Sequence, residues 1–202
     1  MIISCTRGES YEYHQGAVDL FSVSQVRKMA HDTYAGIPLE VLEPARKRGE
    51  ILHRRFWKLL ASRAGLMEKP LVIPEFDGYC RSMDDWAERN QVIPVKLEEV
   101  SACLKLGFAG TPDALVRMGR RQRLTLLDLK TGALTLTDPM QLIAYKHMQG
   151  YEEADDLLDL YIQPDSSHAK EKPVTPAMKA TEWSWFLTAL NLLKARRNHG
   201  VK

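Results

Sequence analysis

The order of apolar segments in the middle of the chain constrains the fold more strongly than any other sequence feature. Three strand-like segments follow one another, at residues 92–104, 107–117 and 123–130. Gly107 and Gly119 lie in the turns between them. A helix opened by Thr137 or Asp138 then leads to an apolar strand at residues 157–163. Strands joined first by hairpins and then by a helical crossover predict one mixed sheet covered by helices.

Helical patterns precede this strand-rich centre. Small and apolar residues recur at steps of three and four over residues 44–64, which predicts a long helix with one buried face. Pro44 suits its first turn, because proline has no N–H to leave unpaired there. A shorter helix is predicted over residues 18–30, with Ser22 or Ser24 as its N-cap.

The remaining segments complete a single domain over all 202 residues, a length that can bury a full core. Residues 68–90 are expected to hold a strand fragment at residues 71–73, a turn and a short helix. The core would span about residues 44–163. Residues 1–43 and a final helix over residues 179–197 would pack on it.

Composition narrows the function only slightly. Hydrophobic residues make up 45% and charged residues 27%, and the formal net charge of +2 is too small to indicate a polyanionic partner by itself. Cys5, Cys80 and Cys103 form no CxxC pair, so we expect reduced thiols. We find neither a signal-peptide pattern nor an apolar run of about 20 residues, and therefore expect a cytoplasmic protein without a membrane partner.

Asp128 and Lys130 lie two residues apart on the apolar strand LTLLDLKTG, residues 124–132. Period-two alternation puts both side chains on one face and turns Leu127 and Leu129 towards the core. Because an unpaired buried charge is costly, an acid and a base on such a strand indicate a use for them. A plain ion pair at a sheet edge would also explain the pattern.

Asp113 lies on the preceding predicted strand, directly after Pro112. The hairpin between the strands would place it beside Asp128, so that the two carboxylates share a divalent cation. Mg²⁺ prefers oxygen ligands and keeps several waters, and the backbone carbonyl of Leu129 would add another oxygen. Lys130 would hold or polarise the attacking water and offset charge on the phosphorane.

The segments TPD (111–113) and DLK (128–130) resemble the signature of the PD-(D/E)XK nuclease superfamily. Gln141 and Tyr145, in MQLIAYKHM, resemble the QxxxY motif of its RecB-like, phage-type exonuclease branch. At positions i and i+4 these two side chains share one face of a helix.

Two segments nearer the N-terminus extend the resemblance. Gly49 and His53, in RGEILHRRF, resemble the GxxxH helix motif of the same branch. The segment FSVSQVRKM (21–29) is similar to the serine- or threonine-rich opening segment of these nucleases. The matching pieces span roughly residues 20–163, in the order that the family has them.

The resemblance implies a restriction-endonuclease-like α/β core, with a central mixed β-sheet flanked by helices in the order αβββαβ. It also implies a Mg²⁺-dependent deoxyribonuclease, with Mn²⁺ as a substitute metal. Asp113 and Asp128 would be metal ligands and catalytic residues. Lys130 would assist catalysis, and His53 would be a second-metal or phosphate contact.

Three further roles follow from the same resemblance. The family often uses an additional glutamate, here Glu98 or Glu99; Glu98 is favoured because it lies fifteen residues before Asp113. The choice between Glu98 and Glu99 matters, because a shift of one residue along a strand turns the side chain to the other face of the sheet. Gln141 and Tyr145 would position the DNA strand, although Tyr145 could serve helix–sheet packing alone.

Basic residues form clusters that could neutralise phosphates. One cluster lies on the predicted long helix and includes Arg48 and Arg54. Another includes Arg120 and Arg121 in the hairpin, which we expect next to the site. A simpler interpretation is that these residues form solvated faces.

The favoured function is an exonuclease on linear DNA in recombination, repair or phage DNA processing, in a bacterial or phage-infected cell. A recombination or single-strand-binding protein would be a partner, and oligomerisation is open. The alternatives are a structure-specific endonuclease, an RNA-directed nuclease, or a non-catalytic DNA-binding or assembly module. Three ungrouped cysteines argue against the iron–sulfur cluster of some relatives, and the absence of GxxxxGK[ST] argues against a helicase fusion.

Overall fold

Two mixed β-sheets flanked by helices make up the computed structural model, which describes residues 3–7, 11–32, 35–165 and 168–200. The strands in these residues are β1 (Ser4–Arg7), β2 (Tyr11–Gln15), β3 (Val18–Ser22), β4 (Ile93–Leu97), β5 (Ser101–Cys103), β6 (Phe108–Gly110), β7 (Ala114–Met118), β8 (Arg123–Lys130), β9 (Asp156–Tyr161) and β10 (Lys170–Pro173). The helices are α1 (Val23–Ala30), α2 (Leu39–Arg63), α3 (Asp77–Arg89), α4 (Asp138–Lys146) and α5 (Pro176–Asn198).

The first sheet has the strand order β1-β2-β3-β6-β5, and the second has the order β10-β9-β8-β7-β4. In the second sheet β4, β7 and β8 are antiparallel neighbours, whereas β8 and β9 run parallel. The parallel pair is joined through α4, as the predicted crossover requires. The mixed α/β class is therefore confirmed, but the expected single sheet is two sheets.

The first sheet exists in addition to the expected one because two predicted strands each divide. The segment 92–104 divides into β4 and β5 near Glu98, whose φ of +46° is a left-handed conformation that ends an extended strand. The segment 107–117 divides into β6 and β7 around Pro112, which has no N–H to donate to a ladder. As a result, β4 and β7 belong to the second sheet, whereas β5 and β6 belong to the first.

Two apolar layers cover the second sheet. Leu126 packs on the face covered by α1, α4 and α5. Leu127 and Leu129 pack on the opposite face against Leu52 and Phe56 of α2 and against α3. The predicted alternation along β8 is confirmed, and it leaves Asp128 and Lys130 on the α4 side.

Helix α1 is shorter than predicted, because Val18–Ser22 is the strand β3. Ser22 is the N-cap: its hydroxyl accepts from the N–H of Gln25, whose side chain accepts from the N–H of Ser22 in return. This capping box fixes the start of α1 and confirms Ser22 over Ser24.

Helix α2 begins at Leu39, so Pro44 lies inside the helix and not in its first turn. The missing N–H removes only the bond to the carbonyl of Glu40, at the exposed start of the helix. Residues 71–73 are not a strand, and the loop after β9 contains the edge strand β10. No helix in the described ranges is both long and apolar enough to cross a lipid bilayer.

Candidate active site

Asp113 and Asp128 face each other across neighbouring strands. Ala114 of β7 pairs with Leu127 of β8, and the same antiparallel register carried one residue further sets Asp113 opposite Asp128. The Oδ2 atom of Asp113 accepts a hydrogen bond of 2.6 Å from the backbone N–H of Leu129. We call Asp113 and Asp128 the acid pair.

Lys130 lies at the end of β8 with its side chain 14% exposed. Its Nζ atom contacts Oδ2 of Asp128 and lies 3.0 Å from Oε1 of Gln141 and 3.3 Å from Oδ1 of Asp138. Burial lowers the pKa of Lys130, but the surrounding carboxylates outweigh burial and raise the pKa above its usual value. Lys130 is therefore an ammonium group at neutral pH.

His53 reaches the acid pair from α2. Its Nδ1 atom lies 3.3 Å from Oδ1 of Asp113. Burial lowers the pKa of His53, but the charge and hydrogen bond of Asp113 and the charge of Asp128 more than offset this and raise it to about 9. A protonated imidazole donates and does not ligate, so in this arrangement His53 is a partner of Asp113.

The two members of the acid pair differ electrostatically. Burial raises the pKa of Asp113, but contacts with His53, the Leu129 N–H and Lys130 together lower it below the usual value. Burial also raises the pKa of Asp128; Lys130 opposes this rise, the charge of Asp113 adds to it, and the pKa stays raised. Two buried carboxylates this close repel each other, so added positive charge stabilises the pair.

Gln141 and Tyr145 lie one turn apart on α4, as their spacing predicted. Nε2 of Gln141 donates to the Tyr145 hydroxyl at 2.9 Å, and its Oε1 accepts from Lys130. The Tyr145 ring packs directly over Gly110 of β6, where a Cβ atom would lie 2.6 Å from Cε1 of the ring. Tyr145 thus combines packing with a polar contact at the site.

Several polar residues at the site were not singled out from the sequence. Asp138 had been considered only as a helix cap, yet its buried carboxylate accepts from Arg27 at 3.0 Å and from the Tyr161 hydroxyl at 2.6 Å. Asp159 lies beside Asp128 in the parallel register of β8 and β9. Arg27 lies in the segment FSVSQVRKM, but the resemblance gave it no role of its own. Asp159 lies in an apolar alternating strand, the pattern that had drawn attention to Asp128.

Glu98 and Glu99 take up different positions near the site. The Glu98 N–H donates to the Asp113 carbonyl at 3.1 Å, so its backbone adjoins the acid pair, and its side chain is exposed. The carboxylate of Glu99 lies 3.8 Å from Nζ of Lys96. Which of the two glutamates serves the site stays a prediction.

The hairpin arginines lie away from the acid pair. Met118 pairs with Arg123 at the turn end of β7 and β8, while the acid pair lies beyond the other end of β7. Seven residues of β8 separate Arg123 from Lys130, roughly 23 Å at the usual rise of a strand. The expectation that Arg120 and Arg121 lie next to the site is therefore wrong.

The arginines of α2 lie closer to the site, because they adjoin His53 in the sequence. Arg54 is exposed, while Arg48 is half-buried with its guanidinium 5.9 Å from the ring centroid of Tyr79. Their predicted contacts with DNA stay predictions.

No group of three or more acidic, histidine or cysteine side chains arranged to hold a metal ion occurs in the described ranges. The metal ligands therefore stay the predicted ones: the acid pair, the Leu129 carbonyl and Glu98, together with His53, which would ligate only after losing the proton that its raised pKa favours. A scan against models of known protein families finds no match for the chain, and a search of curated proteins finds no significant relative. The family resemblance rests on the motif residues alone.

Proposed function

We propose that this protein is a Mg²⁺-dependent nuclease that hydrolyses phosphodiester bonds in DNA. The observation that carries the proposal is the acid pair on adjacent strands, with the Lys130 ammonium in contact with Asp128. His53, Gln141 and Tyr145 converge on the same place from two different helices. A plain ion pair at a sheet edge does not need these additional polar groups.

The donor set suits a hard divalent cation. The acid pair and the Leu129 carbonyl offer only oxygen atoms, and Mg²⁺ prefers oxygen and keeps several waters, so two protein carboxylates suffice. The mutual repulsion of the buried carboxylates would be relieved by a cation. When bound, Mg²⁺ would neutralise phosphate charge and make a water more acidic.

The protein's own groups divide the remaining tasks. Lys130 is charged and can donate to a phosphate oxygen, which stabilises the negative charge of the transition state. His53 holds Asp113 in place through Oδ1, while the Leu129 N–H holds its Oδ2. Gln141 and Tyr145 position the strand to be cut.

Within this class we favour a restriction-endonuclease-like core and an exonuclease acting on linear DNA. β4, β7, β8, α4 and β9 supply the strand–helix order that the resemblance implies, and α2 precedes them. The preference for exonuclease over structure-specific endonuclease comes from the likeness to the RecB-like branch.

The test is digestion of linear duplexes labelled at the 5′ or 3′ end, and of a closed circle, with and without Mg²⁺. We expect Mg²⁺-dependent release of nucleotides from the linear substrates only. Lys130→Ala should lower the rate at least ~10²-fold, because it removes a preorganised donor, while DNA binding in Ca²⁺ is retained.

Lys105→Ala is the matched control, because Lys105 is exposed in the turn between β5 and β6. It should cleave at the parental rate. A folded Lys130→Ala protein that cleaves as fast as the parent would refute the assignment. Binding without cleavage in Mg²⁺ or Mn²⁺ would instead identify a non-catalytic module, and matched RNA substrates would reveal an RNA-directed enzyme.

A further inference from the structure

The side-chain amide of Gln141 is held between two cationic side chains. Its Oε1 accepts from Nη1 of Arg27, on α1, and from Nζ of Lys130 at 3.0 Å. Arginine and lysine side chains are donors without acceptor capacity. An amide NH₂ turned towards them would face donors only, so the two cations fix the orientation of the amide.

The other end of the amide determines the hydrogen bond of Tyr145. Nε2 of Gln141 donates to the Tyr145 hydroxyl at 2.9 Å. A hydroxyl that accepts this bond keeps its single proton free to donate elsewhere. Tyr145 lies close enough to the acid pair that both carboxylates, after burial, raise its pKa. The same Gln141 amide accepts from Lys130, which contacts Asp128, so the Tyr145 hydroxyl is one side chain away from the groups proposed to face a phosphate.

Arg27 is anchored by two further acceptors besides Gln141. Its Nη2 atom also donates to Oδ1 of Asp138 at 3.0 Å and to the Thr137 hydroxyl at 3.3 Å. Asp138 is itself fixed by the Tyr161 hydroxyl at 2.6 Å and by the backbone N–H of Thr135 at 2.8 Å. Lys130 also has contacts with Asp128 and Asp138, but its proposed role is to donate to the substrate, so Arg27 is the cation that would keep the amide in place when DNA is bound.

We propose that Arg27 is a positioning residue which, through the Gln141 amide, sets the Tyr145 hydroxyl as a hydrogen-bond donor to a phosphate of the DNA strand at the acid pair. This inference rests on the proposed function for the identity of the ligand. The donor and acceptor roles along the hydrogen bonds from Arg27 through Gln141 to Tyr145 rest on contacts within the protein without DNA. Arg27 itself does not touch the phosphate.

Gln141→Glu provides the sharpest test, since it keeps the shape of the side chain and both cations. A carboxylate accepts from Arg27 and Lys130 but cannot donate to Tyr145, so the tyrosine proton turns towards Glu and away from the DNA. In the parent, Tyr145→Phe should weaken binding of a short duplex in Ca²⁺ roughly tenfold, as expected for a bond to a charged group. In the Gln141→Glu background the same change should cost less than about twofold.

Arg27 is tested by two variants of different charge. Arg27→Met releases the amide, so the cost of Tyr145→Phe should fall below about threefold in that background. Arg27→Lys keeps the charge and a donor but not the forked contact with Gln141 and Asp138, so the cost of Tyr145→Phe should lie between about threefold and tenfold in that background. A merely structural role of Arg27 would weaken binding without changing the cost of Tyr145→Phe. Thermal unfolding establishes that each variant is folded.

The side-chain amide signal of Gln141 in a ¹⁵N–¹H NMR spectrum, identified by its loss in Gln141→Glu, provides a readout without DNA. We expect Arg27→Met and Tyr145→Phe each to shift this signal. An unchanged signal in Arg27→Met, with the full tenfold cost of Tyr145→Phe retained, would overturn the proposal. A parent protein that neither binds nor cuts DNA would refute the proposed function. The NMR result would still report the orientation of the Gln141 amide between Arg27 and Tyr145.

Discussion

The buried carboxylate of Asp159 differs from that of Asp138 in its hydrogen bonds. Asp138 accepts from several donors, whereas Oδ1 of Asp159 has no hydrogen-bond partner in the part of the chain that the structure describes. Burial and then the charge of neighbouring Asp128 raise the pKa of Asp159 to about 8. Ionised Asp159 is therefore unfavourable in the folded protein.

This raised pKa makes stability depend on pH in a defined direction. An aspartate in the unfolded chain ionises near pH 3.8, so between that pH and about 8 the folded state holds the extra proton. Stability is lost as the pH rises through this window, because ionisation favours the unfolded chain. Asp159→Asn removes the effect while preserving the shape of the side chain.

We expect Asp159→Asn to be more stable than the parent at pH 8, by about 1–3 kcal/mol, the usual penalty for an unsatisfied buried polar group. Measured as Tm without metal, the difference should grow from pH 5 to pH 8 and stay constant above that. Asp156→Asn is the control, because Asp156 lies on the same strand but is only half-buried and is paired with Arg123. A difference that is independent of pH would contradict the raised pKa.

At the scale of elements, the Tyr145 ring of α4 packs tightly on β6 because of one glycine. A Cβ atom at Gly110 would lie 2.6 Å from Cε1 of Tyr145 and 3.3 Å from Cγ2 of Val23. Backbone and ring cannot both stay in place, so the Tyr145 ring or the β6 backbone must shift. The absence of a side chain at Gly110 thus sets the position of Tyr145 relative to the acid pair.

We expect Gly110→Ala to destabilise the protein by about 1–3 kcal/mol, as overpacking does, and to reduce cleavage at least as much as Tyr145→Phe. Denaturant unfolding and the end-labelled duplex assay measure both effects. Gly132→Ala is the matched control, because a Cβ atom there meets nothing within 4 Å. Equal stability of the two variants would show that the α4–β6 contact yields without cost.

The sequence predicted the elements whose pattern is local and long. Helix α2 and strand β8 were recognised because their periodicity extends over several turns or alternations. The division of two strands between the sheets was missed, because it depends on a left-handed Glu98 and on partners distant in the sequence. The short strands of the first sheet were missed for the same reason.

The candidate site shows a similar limit. The motif residues could be recognised from their spacing in the sequence. The structure brings His53, Gln141 and Tyr145 to the acid pair. Arg27 and Asp138 are 111 positions apart and meet only through the packing of α1 on α4. No local pattern reveals such a pair, so the second layer of the site became visible only in three dimensions.

At the scale of the whole molecule, the net charge of +2 conceals an uneven distribution. Many cations of α2 are neutralised: Arg46 and Lys47 pair with glutamates of the same helix, and buried Arg55 pairs with Asp84. Arg54 and Lys58 are exposed and form no ion pair with any residue that the structure describes. One turn apart, they present adjacent charges beside His53.

These two cations and the hairpin arginines should respond differently to the length of DNA. A phosphate at the site places the next phosphates of one strand at steps of about 3.4 Å along the duplex axis, so a duplex of roughly 6 base pairs, about 20 Å long, ends before it spans the roughly 23 Å from Lys130 to the hairpin. Such a duplex can contact α2 but not Arg120 or Arg121. A duplex of about 30 base pairs reaches both.

We therefore expect Arg54→Ala with Lys58→Ala to reduce the slope of log K against log salt by about 2 for both duplexes, since each lost phosphate contact contributes about 0.9. Arg120→Ala with Arg121→Ala should leave the slope for the short duplex unchanged and lower it, if at all, only for the long one. Binding is measured in Ca²⁺ over a series of salt concentrations. A short duplex whose slope falls equally with both double variants would show that it reaches the hairpin as well as α2, and this would contradict the predicted position of the DNA at the acid pair and His53.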